Sequence, residues 1–408
     1  MLHRKWLINL IKIRRYEKGV WIMIIIRFIS MLGYAIFGPY LMLYFNQDRG
    51  LSMTLTGLIL ALSSVGGAFT QILGGAFTDR FGRRHTLILF FSIGLIMNIF
   101  LTMMIAFSSP VWLFAVFYIV SGFLWGMTQP AIMAIFTDLT PKEHLTEAYG
   151  IAQLIANIGW IIGPIVGGLM FSNLSFTYLF GVTIITSLLC LGLTKAFLKD
   201  SFTGTRVHAG LRDVFPYKAD GALIAYAVLS MLVFIVYVQI TGSYSVFTVK
   251  QLGFTPTQYG LLLMINGILA VVFQYPVTRW VDARLGDKNA LVLGSVIFVL
   301  GYLSFSWIVS FGWSTVAIIV FTAAELLFVP SMTSVVGKLA EPEQRGRYMG
   351  LLGTGTGLGI AIAPLLGGAL FDASHGSALV MWAPLAAITF IAALGYLRWF
   401  SIYKNRLK

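Results

Sequence analysis

The chain returns again and again to uninterrupted apolar runs long enough to cross a lipid bilayer. The hydrocarbon core takes about 20 residues of helix. Such runs stand near 20–45, 53–77, 85–107, 110–136, 145–171 and 175–198. A second set stands near 218–247, 256–280, 288–310, 313–337, 346–371 and 377–400. Several exceed 20 residues, which predicts tilted helices or protruding ends. Of the 408 residues 58% are apolar and 11% charged, against about 45–50% and 25% in soluble domains. A water-soluble fold is excluded, and so is a disordered chain, which would be poor in apolar residues. The expected class is an all-α membrane protein with 12 transmembrane helices.

Other classes fall away on residue counts. The single cysteine, Cys190, allows neither an intrachain disulfide nor a thiolate metal centre. The five histidines are dispersed and give no ligand spacing. No metal and no cofactor are expected, and no GxxxxGK[ST] phosphate loop is present to drive an ATP pump. A net charge of +13 would suggest nucleic acid in a soluble chain. Here the basic residues lie between apolar runs, so they read as topology signals and no nucleic-acid partner is expected.

With the N-terminus inside, 25 of the 28 Lys and Arg fall on the inner side. The outer loops hold only Arg49 and Lys250, and Arg27 lies within the first span. The positive-inside rule then puts both termini in the cytoplasm of a multi-pass protein of the cell membrane. Residues 1–18 mix Trp6, Leu7, Leu10 and Ile11 with Arg and Lys. They read as a basic amphipathic cytoplasmic segment lying on anionic lipid, not as a cleaved signal peptide.

The sequence repeats itself. Glu143 and Gly150 return as Glu343 and Gly350, and Gly163-Pro164-Ile-Val-Gly167-Gly168 returns as Ala363-Pro364-Leu-Leu-Gly367-Gly368, both at an offset of 200. Gly57 and Asp79 return as Gly260 and Asp282 at 203. This predicts a six-helix bundle over 19–198, a cytoplasmic linker over 199–217, a pseudo-symmetric six-helix bundle over 218–400 and a cytoplasmic tail over 401–408. An even number of spans per repeat makes the halves parallel, one of the symmetries of secondary transporters.

Two motifs add a resemblance. Gly75-Ala-Phe-Thr-Asp79-Arg80-Phe-Gly82-Arg83-Arg84 lies in the short inner loop after span two. It resembles the GxxxDRxGRR/K signature of the major facilitator superfamily. Gly159-Trp-Ile-Ile-Gly163-Pro164-Ile-Val-Gly167-Gly168 in span five resembles the GxxxGPxxGG motif of that superfamily's 12-helix drug:proton antiporters. The resemblance implies that Gly75, Asp79, Arg80, Arg83 and Asp138 form a conformational latch. In it Asp79 faces the inner N-terminus of span eleven, Arg83 pairs with Asp138, and Gly75 permits close helix approach. It also implies that Gly159, Gly163, Pro164, Gly167 and Gly168 pack against span eight and seal the halves together. The second loop motif keeps Asp282 and Gly286, lacks the leading glycine, and has its glycine shifted by one.

Two charged residues are deeply embedded. At about 1.5 Å rise per residue, Arg27 lies roughly 12 Å and Glu325 roughly 18 Å from the inner edge. Ionisable groups at such depth mark functional sites. A carboxyl group withdrawn from water favours its neutral form, so Glu325 and Arg27 are the candidates for proton coupling. The resemblance has a gap: where drug:proton antiporters carry Arg in span four, this chain has Tyr118. The spans otherwise offer neutral polar groups. Gln153 and Asn157 lie one turn apart, Asn266 and Gln274 share a face, and Tyr237 and Gln239 lie on span seven. With 32 Phe and 16 Met, these describe an adaptable, mostly apolar substrate cavity.

The function this predicts is a secondary active transporter that exports lipophilic or amphipathic small molecules in exchange for protons by alternating access. It is expected to work as a monomer, as carriers of this fold do, and no catalytic residues are expected. The alternative within the superfamily is a sugar or peptide carrier. An alternative of another class, a membrane enzyme acting on lipids, would need a cluster of interfacial acids or a His–Ser arrangement, and none is apparent.

Overall fold

The computed structural model describes residues 16–141, 144–199, 220–341 and 344–403. Residues 1–15, most of the 199–217 linker and 404–408 lie outside them, so the expected amphipathic segment, linker and tail are not described. The described residues are helical, with no strand. We label the helices α1 (Lys18–Phe37), α2 (Met53–Phe81), α3 (Arg83–Ala106), α4 (Val111–Leu139), α5 (Leu145–Asn173) and α6 (Phe176–Phe197). Then follow α7 (Gly221–Tyr237), α8 (Pro256–Trp280), α9 (Gly286–Phe305), α10 (Phe311–Leu339), α11 (Arg345–Ala373) and α12 (Ala378–Tyr403). By length and hydropathy, 11 stretches of the described residues can cross a membrane. One of them, Pro256–Phe305, runs for 50 residues and contains both α8 and α9.

In lipid every backbone group must bond within the chain, which leaves helix as the form for these runs. Hydroxyl side chains obey the same rule. Thr86 Oγ1 donates to the Gly82 carbonyl at 2.7 Å, and Thr194 Oγ1 to that of Cys190 at 2.7 Å. Helix starts are set by sequence. Thr255 and Gln258 form a capping box ahead of α8, with Pro256 at its first position. Ser310 caps α10 by accepting from the Trp313 amide at 3.2 Å.

α1 and α7 share an irregular continuation. Each passes through a 3₁₀ turn (Gly38–Tyr40; Val238–Thr241) and a short α segment into a π-turn. The π-turns, Tyr44–Asp48 and Phe247–Gln251, stand 203 residues apart. The internal repeat is thus written in backbone irregularities as well as in residues.

The breaks after α2 and α8 match in the same way. Gly82 has φ 89° and Gly286 φ 74°, with ψ near 150° in both. This is a region open essentially to glycine alone. The shifted glycine noted in the sequence has a structural cause. The π-turn Val281–Leu285 takes up one extra residue before Gly286, so the offset moves from 203 at Asp79/Asp282 to 204 at Gly82/Gly286. Gly82→Ala is expected to cost about 1–3 kcal/mol, read as a fall in thermal midpoint in detergent, and Gly286→Ala the same.

Packing divides the chain into two compact units. One comprises the described residues up to 34, 66–160 and 180–199. The other comprises 35–65, 161–179 and 220–403. One boundary falls within the 199–217 stretch, and the second unit also gathers one end each of α1, α2, α5 and α6 with helices α7–α12. In the first unit Val20, Met23, Leu87, Ile135, Ala152 and Cys190 share a core. In the second, α7 packs on α11 and α12, and α9 on α10 and α12. Trp382 there lies against Phe305 and Phe247, both with ring centroids at 5.2 Å.

Candidate functional site

Glu325 lies within α10, five residues before Pro330. Its Oε1 accepts from the Tyr237 hydroxyl at 2.8 Å, and its Oε2 from Asn266 Nδ2 at 3.0 Å. Asn266 Nδ2 also donates to Thr322 Oγ1 at 3.0 Å, and Thr322 in turn donates to the Ile318 carbonyl at 2.7 Å. Tyr237 is the last residue of α7 before its 3₁₀ turn, and its ring stacks on Phe321 at 5.9 Å. Phe298 closes the same side, with Phe321 at 5.1 Å. Three helices thus converge on one carboxyl group whose hydrogen-bond donors are both neutral. Tyr237 and Asn266, two residues predicted for the cavity, are brought to Glu325.

Arg27 belongs to the other unit. Its Nη2 donates to Gln153 Oε1 at 3.1 Å, and Gln153 Nε2 donates to Asn157 Oδ1 at 3.0 Å. The Arg27 Nε is buried and has no hydrogen-bond partner among the described residues. Arg27, Gln153 and Asn157 therefore form one polar chain between α1 and α5. The other two predicted cavity residues lie elsewhere. Gln239 is 1% exposed. Its amide nitrogen donates to the Ile235 and Ala363 carbonyls at 3.0 and 2.7 Å, and its oxygen accepts from Ser243 at 3.0 Å. Every group of that side chain is engaged, and the Ala363 bond ties the turn after α7 to α11. Gln274 donates to Thr278 at 3.2 Å, along α8 itself.

The loop motif is seen in parts. Arg83 forms an ion pair with Asp138 at the end of α4, and its Nη1 also donates to the Ala134 carbonyl at 3.2 Å. Arg84 donates to the Lys195 carbonyl at 2.9 Å. Arg80 stands over the Phe81 ring at 5.2 Å. Asp79 is exposed, with no hydrogen bond or ion pair to it among the described residues. Among the described residues a Cβ on Gly75 would meet nothing within 4 Å. The side chains of Arg83 and Asp138 are 19% and 27% exposed. Arg83→Ala is expected to cost about 1–2 kcal/mol, between the values for exposed and buried pairs. Asp138→Ala made in that background should add little, because the partner is already lost; a thermal-unfolding double-mutant cycle measures this.

The second half carries a counterpart that the sequence reading missed. Lys338 Nζ lies 2.6 Å from Asp287 Oδ2, which also accepts from Ser334 at 2.9 Å. Lys338 stands 200 residues after Asp138, and Asp287 stands 204 after Arg83. The same two positions are paired with their charges exchanged.

The small-residue face of α5 differs from expectation. A Cβ on Gly159 would approach the Leu32 amide nitrogen at 3.2 Å, one on Gly163 the Ala35 Cβ at 2.4 Å, and one on Gly167 the Ile36 carbonyl at 2.0 Å. These three glycines pack on α1. Among the described residues α5 meets α8 through Ile161, Pro164 and Gly168, facing Gly267, Gly260 and the Pro256 carbonyl, the last at 2.6 Å from a Cβ on Gly168. The face is divided because α5 lies beside α1 along its length and crosses α8 near one end. α11 repeats the pattern: Gly359 meets the Met231 carbonyl of α7 at 2.6 Å, and Gly368 the Met53 carbonyl of α2 at 2.1 Å.

Comparison with known proteins agrees with this architecture. The chain is 25% identical over 390 residues to the Na(+), Li(+), K(+)/H(+) antiporter of Planococcus maritimus, covering 87% of this chain and 90% of that one. It is 25% identical over 390 residues to the multidrug resistance protein MdtH of Salmonella typhimurium, covering 93% and 94%. The crystal structure of the POT family transporter PepTSo superposes with a TM-score of 0.80 at 11% identity, covering 96% of this chain and 99% of that one; at that identity the likeness is one of fold. The family model described as the Major Facilitator Superfamily matches residues 23–245 and 221–403. With its helical repeat, its membrane-length helices and its loop motif, the chain belongs to the Major Facilitator Superfamily of transporters.

Proposed function

We propose that the protein is a proton-coupled antiporter that exports lipophilic or amphipathic compounds from the cytoplasm by alternating access. In this reading α1–α12 are twelve membrane spans in two six-helix repeats. The excess of Lys and Arg puts both termini in the cytoplasm of a cell-membrane protein. The carrying observation is Glu325: an intramembrane carboxyl group held by two neutral donors, Tyr237 and Asn266, and packed among aromatic rings. With no fixed cation beside it among the described residues, such a group can exchange a proton or a cationic substrate at low cost. The polar chain from Arg27 through Gln153 to Asn157 offers a second, uncharged-to-cationic lining for substrate. In this scheme the Arg83–Asp138 pair with Gly75, Asp79 and Arg80 forms a cytoplasmic latch, and the Asp287–Lys338 pair is its counterpart.

A second reading has one observation in its favour. The Planococcus relative is named for exchange of alkali cations against protons, and the same carboxylate would serve Na⁺ or K⁺. Proteoliposomes with an imposed pH gradient separate the two. Proton movement on adding ethidium supports drug antiport. Movement on adding NaCl or KCl instead supports cation exchange, and movement with none of them removes proton antiport of either kind.

A further inference from the structure

α2 begins at Met53, and its first amides have no partner within the helix. Ser52 takes one of them locally, its Oγ accepting from the Leu55 amide at 3.2 Å; the two before it are capped from the far end of another helix. Asp372, next to last in α11, accepts from the Met53 amide with Oδ1 at 3.0 Å and from the Thr54 amide with Oδ2 at 2.8 Å. Its Oδ2 also accepts from Thr54 Oγ1 at 2.7 Å. The helices are pressed together at this point. A Cβ on Gly368 would lie 2.1 Å from the Met53 carbonyl, and one on Gly57 would lie 2.1 Å from the Pro364 carbonyl.

The repeat supplies an internal control. Ser172, 200 residues before Asp372, meets Thr257 at the start of α8 through hydroxyl groups 2.8 Å apart. There the crossing contact is neutral, with Ser172 Oγ also accepting from the Thr257 amide at 3.3 Å, and α8 has a full capping box from Thr255 and Gln258 where α2 has Ser52. Each terminus keeps a local cap when the crossing helix is away, and α8 then gives up one neutral amide bond. The α2 terminus loses two backbone partners and a charge-assisted contact once α11 withdraws.

We propose that Asp372 is a detachable N-cap: it holds the Met53 end of α2 to α11 in the arrangement described here, and transport requires its release. This rests on the alternating-access reading above and makes Asp372 a positioning residue. Its contribution belongs to one conformation only, so losing it shifts a population and does not merely loosen the fold.

The test uses the full chain in sealed vesicles of both orientations, with Cys190→Ser and a single reporter thiol at Ala61→Cys. Ala61 is buried and one turn from Gly57, beneath the contact. Labelling by a membrane-impermeant maleimide should rise about tenfold in Asp372→Ala, the scale of losing a charged helix cap. The rise should be smaller in Asp372→Asn and in Thr54→Val, which keep part of the contact. A second reporter, Leu352→Cys, is buried towards the opposite end of α11. Its labelling from the opposite side should fall as Ala61 labelling rises. Equal labelling of Ala61→Cys in Asp372→Ala and its parent overturns the proposal, and so does a rise at both reporters, which marks general loosening. Should Asp372→Ala fail to fold, the two milder variants decide by the same criteria. Labelling needs no substrate or proton gradient, so a change there with no proton movement retains the cap and rejects only the antiport reading.

Discussion

Replacing Glu325 by glutamine is expected to lower substrate-driven proton movement by roughly a hundredfold or more, the range contributed by a positioned proton carrier, while the chain still folds. The substitution keeps the volume of the side chain and leaves Phe298 and Phe321 their packing. It removes only the capacity to gain and lose a proton. Glu325→Asp retains that capacity one methylene further from Tyr237 and Asn266, whose present bonds are 2.8 and 3.0 Å, and should fall between. Binding of the same compound, followed by tryptophan fluorescence, should survive in Glu325→Gln better than transport does. A carboxyl that merely braced α7, α8 and α10 would behave otherwise: glutamine, still able to hydrogen-bond, would leave proton flux intact. That outcome would move proton carriage to Asp79 or Asp138.

Tyr237→Phe and Asn266→Ala refine this expectation. Each removes one donor to the carboxylate, and hydrogen bonds to charged groups are worth about 1.5–3 kcal/mol. Each should displace the pH profile of transport without abolishing flux, whereas loss of Glu325 flattens the profile.

The membrane-length helices were legible because the bilayer sets a length that apolar runs must meet, and their ends fell close to expectation. The Arg83–Asp138 contact could be foreseen because both residues stand at helix ends joined by short loops. Its counterpart could not. Aligning the halves at 203 sets Asp282 against Asp79; the glycine shifted by one shows that a residue is added, and the π-turn Val281–Leu285 shows that it brings Asp287 to the place of Arg83. Gln239 illustrates a different limit. A polar residue on an apolar helix reads as cavity-lining, but whether it faces a cavity or a neighbouring carbonyl depends on how α7 meets α11. The Asp372 cap was hidden for the same reason: an acid at the end of one helix says nothing about which helix begins beside it.

Tryptophan at Gly57 and Gly260 together is expected to stop transport, by about a hundredfold or more, in a protein that still elutes as a folded species. The argument is steric and begins with a single carbon. A Cβ on Gly57 would stand 2.1 Å from the Pro364 carbonyl oxygen and 2.7 Å from the Leu365 Cα. A Cβ on Gly260 would stand 2.3 Å from the Pro164 carbonyl oxygen and 2.5 Å from the Tyr40 hydroxyl. Most of these obstacles are backbone, which cannot turn aside as a side chain can. The two sites are repeat mates, 203 residues apart against prolines 200 apart, so α2 on α11 and α8 on α5 are two copies of one close crossing. If the crossings were permanent, an indole at both would prevent folding altogether, since overpacking a fixed contact is destabilising. If they close and open with the cycle, the chain escapes into the arrangement where the helices stand apart and remains there. Elution profile and transport rate, measured on the same preparation, separate these cases. A folded but inactive double variant supports a closing seal at this end of the bundle, and aggregation shows the crossings to be fixed. A folded variant that still transports at the parental rate would show that the glycine contacts take no part in the cycle. Alanine at the same positions offers a graded version: a methyl group needs about 1 Å of retreat, so transport should slow without stopping.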